Sequence, residues 1–375
     1  MPQRSGSINP LGFQGEIFDL YSIPAYDTGT PEVLPGSEIG STKQIVQEGD
    51  ILLSKIVPHI RRCWVVGPSN GRRQIASGEW IVFRSDSVDT TYLRHALLSD
   101  AFHEKFMQTV SGIGGSLLRA RPSEVAKIEV LLPALHEQRR IAAMLDTADS
   151  IQKKRSESIN LADIYLDSVF AELCRHKEGT LPLGNIAEVI TGFAFQSERY
   201  TTGQGDIRLV RGTNVGTGTF DWSDTAFYPS ALTSNLERFV IRTGDVLLAM
   251  DRPWISSGLK CCIANNDIEG SLLVQRVARI RPHRGIDSEF IFRCLNSRHF
   301  IGHCRVTETT IPHISPRDLS SFPVPLIHSS HKDRFGDLAQ KVQELSGKMS
   351  THLAEASQAF KALSHRAFGS QNLGI

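Results

Sequence analysis

The chain has 375 residues, with 41 Lys plus Arg against 40 Asp plus Glu, and its formal net charge is +1. This length suffices for two or three domains that each bury a core, and 40% hydrophobic with 22% charged residues is typical of a folded globular protein rather than a disordered one. The balanced charge excludes a uniformly basic surface, although local basic patches remain compatible with it.

The chain also lacks the signals of export and of metal binding. No apolar run approaches the roughly 18 residues that cross a bilayer, and the first 16 residues contain no apolar segment of a secretory signal. The six cysteines form no C-x-x-C pair, and the group Cys294, His299, His303 and Cys304 fits no common zinc spacing. We therefore expect a cytoplasmic protein with reduced, partly buried thiols and no bound metal.

The first half of the chain predicts a short series of elements. In chain order these are the segment Gly49-Asp-Ile-Leu-Leu, a β-rich stretch at residues 80–83, an amphipathic helix after Asp89, and a strand-like segment at residues 127–133. About 40 residues without proline follow, and their apolar residues repeat at helical spacing. The last of these patterns predicts one long helix.

Most of this order recurs about 195 residues later. The sequence Gly49-Asp-Ile-Leu-Leu is repeated as Gly244-Asp-Val-Leu-Leu, and Asp287 takes the place of Asp89 before a second amphipathic helix. Residues 271–274 are the expected counterpart of 80–83, and residues 321–327 that of 127–133. Residues 181–191 open the second half without an evident counterpart, so the chain is predicted to contain two related but unequal halves.

The two long helices share one apolar stripe in the same phase. Its positions alternate in steps of three and four, which is the pattern of a coiled-coil seam. Packing of each helix on its own half is the alternative, but few small domains offer a face as long as the roughly 58 Å of such a helix. The predicted seam residues are Ile141, Leu145, Ile159, Leu166 and Val169 in the first helix, and Phe335, Val342, Leu353, Phe360 and Leu363 in the second.

The sequence contains no convincing catalytic motif. There is no G-x-x-x-x-G-K-[ST] phosphate loop and no G-x-S-x-G nucleophile elbow. The segment from His136 to Arg140 begins like the zinc motif H-E-x-x-H but ends in arginine, so the second ligand is missing. An enzyme is therefore the less favoured class.

Basic residues cluster in both halves, and such clusters can neutralise phosphates while Arg, Lys, Asn, Gln and Ser/Thr read base edges. A solvated face with scattered ion pairs is the alternative for any single arginine. The candidate DNA-binding residues of the first half are Lys55, His59, Arg61, Arg62, Arg72, Arg73, Ser116, Arg119 and Arg121. Those of the second half are Arg211, Thr213, Asn214, Arg252, Trp254, Lys260, Gln275, Arg276 and Arg305, where Trp254 could equally be a core residue.

Several segments resemble a known family, the specificity subunits of Type I restriction-modification enzymes. The segment LPALHEQRRIAAMLD at residues 132–146, followed by ADSIQKKR at 148–155, is similar to the linker helix of that family. Residues 183–192 with 207–215 resemble the start of a target-recognition domain, and HRAF at 365–368 resembles the end of the second helix. The first helix has the family's E-Q-x-x-I sequence at residues 137–141. The second helix departs from this pattern, because it has HKDRF at residues 331–335 instead.

This resemblance implies an α/β (α+β) fold of two tandem target-recognition domains separated by a pair of long antiparallel coiled-coil helices. The implied boundaries are 1–133 and 179–327 for the domains, and 134–178 and 328–375 for the helices. It further implies a non-catalytic subunit that binds double-stranded DNA, two modification subunits and restriction subunits, without a membrane. S-adenosylmethionine, ATP and Mg would belong to the partner subunits, and none of them to this chain.

Two other readings remain open on the sequence. A coiled-coil scaffold that does not read DNA would share the helices but show no salt-dependent DNA binding. A specificity subunit of another phage-defence complex would differ only in its partners. A self-contained nuclease or methyltransferase is disfavoured, because the nucleotide-binding loop that it needs is missing from the sequence.

Overall fold

The computed structural model describes residues 6–112, 118–203, 205–304 and 313–369. The chain divides into two compact units, Met1–Glu157 with Met349–Ile375, and Ser158–Lys348. Two long helices, Leu135–Arg175 (α5) and Ser329–Phe368 (α9), therefore each contribute residues to both units. Among the described residues, no helix has the length and hydropathy that a membrane span requires.

The first unit combines a five-stranded sheet of order β1-β4-β7-β2-β3 with a three-stranded antiparallel sheet of order β6-β5-β8. Its strands are Ser7–Ile8 (β1), Ile17–Tyr21 (β2), Glu32–Pro35 (β3), Lys43–Ile45 (β4), Ile51–Ser54 (β5), Cys63–Val65 (β6), Arg73–Ala76 (β7), Trp80–Phe83 (β8), Val110–Ser111 (β9) and Arg119–Ala120 (β10). Its shorter helices are Ile23–Thr28 (α1), Thr90–Leu98 (α2), Asp100–Gln108 (α3) and Pro122–Val125 (α4).

The second unit has a four-stranded antiparallel sheet of order β12-β20-β15-β18 and a three-stranded sheet of order β14-β13-β19. Its strands are Gly179–Pro182 (β11), Ala187–Thr191 (β12), Ile207–Val210 (β13), Ala226–Tyr228 (β14), Val246–Ala249 (β15), Trp254–Ile255 (β16), Gly258–Leu259 (β17), Cys261–Ile263 (β18), Leu272–Leu273 (β19), Val277–Pro282 (β20) and Pro323–Leu326 (β21). Its shorter helices are Ser288–Leu295 (α6), Arg298–His303 (α7) and Pro316–Ser321 (α8). The expected fold class, mixed α/β units with two long helices, is confirmed.

The repeated Gly-Asp segment has the same structure in both units. Asp50 precedes β5 and accepts two hydrogen bonds of 2.6 Å from the guanidinium of Arg84, while Asp245 precedes β15 and accepts bonds of 2.7 and 2.8 Å from Arg281. Both carboxylates are almost completely buried, at 0% and 1% side-chain exposure. A buried carboxylate requires a partner of this kind, and this requirement explains why the acid recurs with its arginine.

The strand prediction was wrong at two places. The structural counterpart of β8 is β20, because β8 pairs with β5 as β20 pairs with β15. The expected counterpart, residues 271–274, instead supplies β19 of the other sheet. Residues 127–133 are not a strand either, whereas β21 pairs with β11. The opening segment of the second half supplies two strands without a counterpart in the first unit. These are β11, which pairs with β21, and β12, which pairs with β20.

The predicted seam positions of α5 and α9 are all buried or half-buried, although most residues between them are exposed. In the first unit the helices run antiparallel, because Ile141 and Leu145 line one cavity with Leu363, while Arg155 donates a hydrogen bond to the carbonyl of His352. In the second unit Leu166, Phe170, Phe335 and Ala339 belong to one core cluster. The helices therefore form part of the core of each unit.

Helix α2 contacts both long helices through His95 in the first unit. The His95 side chain is 4% exposed, its Nε2 lies 2.7 Å from Asp146 Oδ1 on α5, and its ring is 6.1 Å from that of Phe360 on α9. Burial lowers the pKa of His95. The hydrogen bond to Asp146 opposes this shift only in part, and the positive charge of Arg94 adds to it. The neutral imidazole is thus the form that suits this contact.

We expect the first unit to lose stability as the pH falls below about 6.5, the pKa of an unfolded histidine. The folded state has the lower pKa, so the unfolded state takes up the proton first and is favoured by acid, by up to about 1.4 kcal/mol per pH unit for one group. Replacing His95 with glutamine should flatten this dependence between pH 7 and 5. Urea unfolding at several pH values measures it, and an unchanged slope in the variant would assign the proton to another group.

Candidate nucleic-acid interface

Both units contain the same junction of loops beside the Gly-Asp strand. In the first unit the Lys55 amide donates to Glu79 O at 3.0 Å, and the Ala120 amide donates to Lys55 O at 2.8 Å. In the second unit the Met250 amide donates to Arg276 O at 3.0 Å, and the Ile314 amide to Met250 O at 2.9 Å. Isolated bridges join Ile56 to Arg119 and Asp251 to His313. We call this arrangement the loop junction of each unit.

The loop junction of the first unit carries several predicted residues. Arg119 pairs with Glu79 through bonds of 3.1 and 3.2 Å, although its side chain remains 43% exposed. Arg61 lies 2.6 Å from Asp100, and Arg62 lies 3.4 Å from Asp27. His59 is exposed, Lys55 is half-buried, and the Arg121 Nε donates to the carbonyl of Thr109 at 3.2 Å. Ser116 lies outside the described residues.

Two predicted residues of the first unit belong to another part of the fold. Arg73 begins β7 of the five-stranded sheet and Arg72 directly precedes it. Arg72 pairs with buried Asp19 at 2.6 Å, and Arg73 binds Glu16 through two hydrogen bonds. Arg73 also stacks over Phe13, with its guanidinium 4.4 Å from the ring centroid. The hydrogen bond from Arg73 lowers the pKa of Glu16. These contacts support a structural role in the sheet.

The loop after β13 in the second unit is held by Asn214. This residue is 1% exposed, its Nδ2 donates to the carbonyls of Asp221 and Asp224 at 2.9 and 3.0 Å, and its Oδ1 accepts the Arg211 amide at 3.0 Å. Arg211 pairs with the Asp224 carboxylate at 2.9 Å. Of these three predicted residues, Thr213 is exposed and Arg211 is half-buried, whereas the amide of Asn214 binds groups of its own loop.

The loop junction of the second unit places an arginine and a histidine beside one acid. Arg276 lies 3.5 Å from Asp251, and the Nδ1 of His313 lies 2.7 Å from the same carboxylate. Arg252 is exposed and has a φ of 45°, and Gln275 is exposed beside Arg276.

Two further predicted residues of this junction turn towards the protein. The Lys260 ammonium donates to the carbonyl of Gly212, and burial lowers its pKa. Trp254 is half-buried against the main core of the second unit, as the alternative reading of this residue expected. Arg305 lies outside the described residues.

Sequence reasoning missed Asp251, His313 and Ile255. Asp251 and His313 are more than 60 positions apart, and nothing local in the sequence indicates their contact. Ile255 stands in a short hairpin, Trp254–Ile255 with Gly258–Leu259, and its Ser-Ser-Gly sequence is a turn signal that could have located it. The described residues contain no group of three or more His, Cys, Asp and Glu side chains arranged to hold a metal.

The fold and the site define a class of protein, in which two related α/β units share a pair of long helices and each presents a loop junction with basic side chains.

No family model matches the chain. Two curated relatives carry the same kind of name. The specificity subunit of Type I restriction enzyme EcoAI from Escherichia coli is 32% identical over 165 residues, which is 44% of this chain and 27% of that protein. The MjaVIII specificity subunit from Methanocaldococcus jannaschii is 24% identical over 331 residues, covering 82% of this chain and 75% of that one.

Solved structures share the fold. A chain described in work on complex assembly and conformational transition of the type I R-M system superposes with a TM-score of 0.53 at 18% identity, covering 97% of this chain and 94% of that one. The Type I S subunit from M. genitalium gives a TM-score of 0.57 at 10% identity, with coverage of 97% and 96%. The names of the two curated relatives confirm the resemblance to Type I specificity subunits, and these solved structures show the shared fold.

Proposed function

We propose that this chain is the DNA-recognition subunit of a Type I restriction-modification complex. Each unit reads one half of a bipartite, asymmetric DNA site through its loop junction. Exposed arginine and lysine side chains contact phosphates, and a subset of them reads base edges in the major groove.

The observation that carries this proposal is the repeated junction with different side chains. The backbone bonds of the junction recur, but Lys55, Glu79 and Arg119 occupy the positions that Met250, Arg276 and His313 hold in the second unit. One backbone frame with two sets of side chains suits the recognition of two unlike half-sites. The relatives, which are named as specificity subunits, support the same role.

The partners follow from the same proposal. Two modification subunits would dock on the long helices and supply S-adenosylmethionine for adenine methylation, and restriction subunits would supply ATP- and Mg-dependent cleavage. The chain itself contributes binding and spacing rather than chemistry. The long helices fix the distance between the half-sites, because a helix of about 40 residues is a rigid element of roughly 60 Å.

The test is to express the chain with its modification subunit and to map methylated adenines across a genome by single-molecule sequencing. We expect a split motif with a fixed unread spacer that disappears when this chain is omitted. Methylation that does not depend on the chain would overturn the proposal. A scaffold would also leave DNA unshifted in gels at every salt concentration, whereas phosphate contacts give binding that weakens steeply with salt.

A further inference from the structure

The second unit has a hairpin where the first unit has a simple loop. The loops that follow β5 and β15 are closed by equivalent backbone hydrogen bonds. The Ser54 amide donates to Arg62 O and the Ala249 amide donates to Lys260 O, each at 3.0 Å. Between these bonds the second unit carries three additional residues, which allow the chain to form β16 and β17.

The hairpin has one core face and one outer face. Trp254 pairs with Leu259, and both pack on the main core of the second unit, where Leu259 is 5% exposed. Since side chains alternate along a strand, the next pair, Ile255 with Gly258, lies on the opposite face. Ile255 is 47% exposed. Glycine opposite it supplies no side chain to cover it, so an apolar side chain stands at the hairpin tip without a cross-strand neighbour.

The hairpin is fixed to the rest of the unit. The Lys260 amide donates to Pro253 O at 2.7 Å, and the Ser257 hydroxyl lies 3.0 Å from that of Thr217. Gly258 has a φ of +127°, and a Cβ there would lie 3.3 Å from Thr217 Cγ2, so glycine serves both the backbone and the close approach. A tip held in this way loses little conformational entropy on binding, which favours selective contact.

The surroundings of Ile255 indicate what it meets. The exposed cations Arg252 and Arg276 belong to the same loop junction, and they attract a polyanion. A two-stranded ribbon fits the major groove of DNA, and the 5-methyl group of thymine is the apolar feature of a base edge there. Resting on the proposed function, we infer that Ile255 contacts a thymine methyl group and thereby specifies one T·A pair in the half-site of the second unit.

Duplexes that carry uracil in place of single thymines test this contact. Binding of the complex of this chain with its modification subunit is measured for each replacement in the mapped motif. At one position of one half-site, we expect removal of the methyl group to weaken wild-type binding about fourfold, the factor that corresponds to one lost buried methyl at about 0.8 kcal/mol. The Ile255→Ala variant should bind thymine and uracil equally at that position, and Ile255→Val should keep the preference.

Ile301→Ala is the matched control, because Ile301 is an equally exposed isoleucine of the same unit, at 46%, and lies outside the hairpin. That variant should respond to uracil as the wild type does. The inference is overturned if Ile255→Ala keeps the wild-type response at every thymine, or if neither half-site contains a thymine whose methyl group matters. Such a result leaves the proposed function intact, since the latter fails only when methylation or DNA binding is independent of this chain.

Discussion

Replacing Arg293 with alanine is expected to lower the free energy of unfolding of the second unit by about 3–5 kcal/mol, the usual loss when a buried ion pair keeps only one partner. Arg293 on α6 has a side chain that is 5% exposed, and its guanidinium lies 2.6 Å from Glu289, which is itself 5% exposed. The same guanidinium binds Asp163 and Asp167 on α5. The variant would leave the carboxylate of Glu289 buried without a cation.

The pKa of both partners indicates how this loss depends on pH. Burial raises the pKa of Glu289 even though Arg293 opposes that effect. Burial alone would lower the pKa of Arg293, but the surrounding carboxylates, Glu289 first among them, raise it. Without Arg293 the pKa of Glu289 should rise further. A protonated Glu289 needs no cation, so the destabilisation should be smaller at pH 5 than at pH 8.

Hydrogen exchange of the α6 amides measures this prediction locally, which matters because a chain of two units need not unfold in one step. Arg298→Ala is the control, because Arg298 is an exposed arginine on the adjacent helix α7 and its loss should change stability by no more than about 0.5 kcal/mol. Pairing Arg293→Met with Glu289→Gln should recover most of the stability, since no buried charge remains. If Arg293→Ala and Arg298→Ala gave the same hydrogen-exchange rates in α6, the ion pairs of Arg293 would contribute nothing to the packing of α6 on α5.

Periodicity predicted the long helices well because the seam depends on local spacing alone. Every predicted seam position is buried or half-buried, and the helices extend over 41 and 40 residues. The Gly-Asp segment was recognised only as a repeat, and the structure shows that it precedes equivalent strands of the two units, β5 and β15. Two buried apolar stretches lie within ten residues of each other in the second unit, however, and periodicity could not decide which of them pairs with β15.

The site residues were harder to predict, because the role of a charged side chain depends on partners far along the chain. Arg72 and Asp19 are 53 positions apart, and nothing local in the sequence indicates the contact that holds this arginine against the sheet. Asn214 has the side chain of a base reader, but its amide is used up by two carbonyls of its own loop. For Ile255 the sequence offers only the Ser-Ser-Gly turn signal beside it, because the exposure of its side chain depends on the pairing of β16 with β17.

Under the proposed function, lengthening both long helices by seven residues is expected to abolish methylation of the original motif and to create a motif with the same half-sites and a longer spacer. The insertions belong where the units divide, between Glu157 and Ser158 in α5 and between Lys348 and Met349 in α9. Seven residues keep the phase of the seam and lengthen a helix by about 10.5 Å, which corresponds to roughly three base pairs at 3.4 Å each.

The expected spacer therefore grows by about three base pairs, and methylation mapping measures it directly. An insertion into α5 alone is the control, because it shifts one half of the seam against the other and should abolish methylation without producing a new motif. The helices set the spacing only if the double insertion changes the spacer and nothing else. Retention of the original spacer would show that another element fixes the half-sites, while altered half-site bases would show that the insertion disturbs the loop junctions themselves.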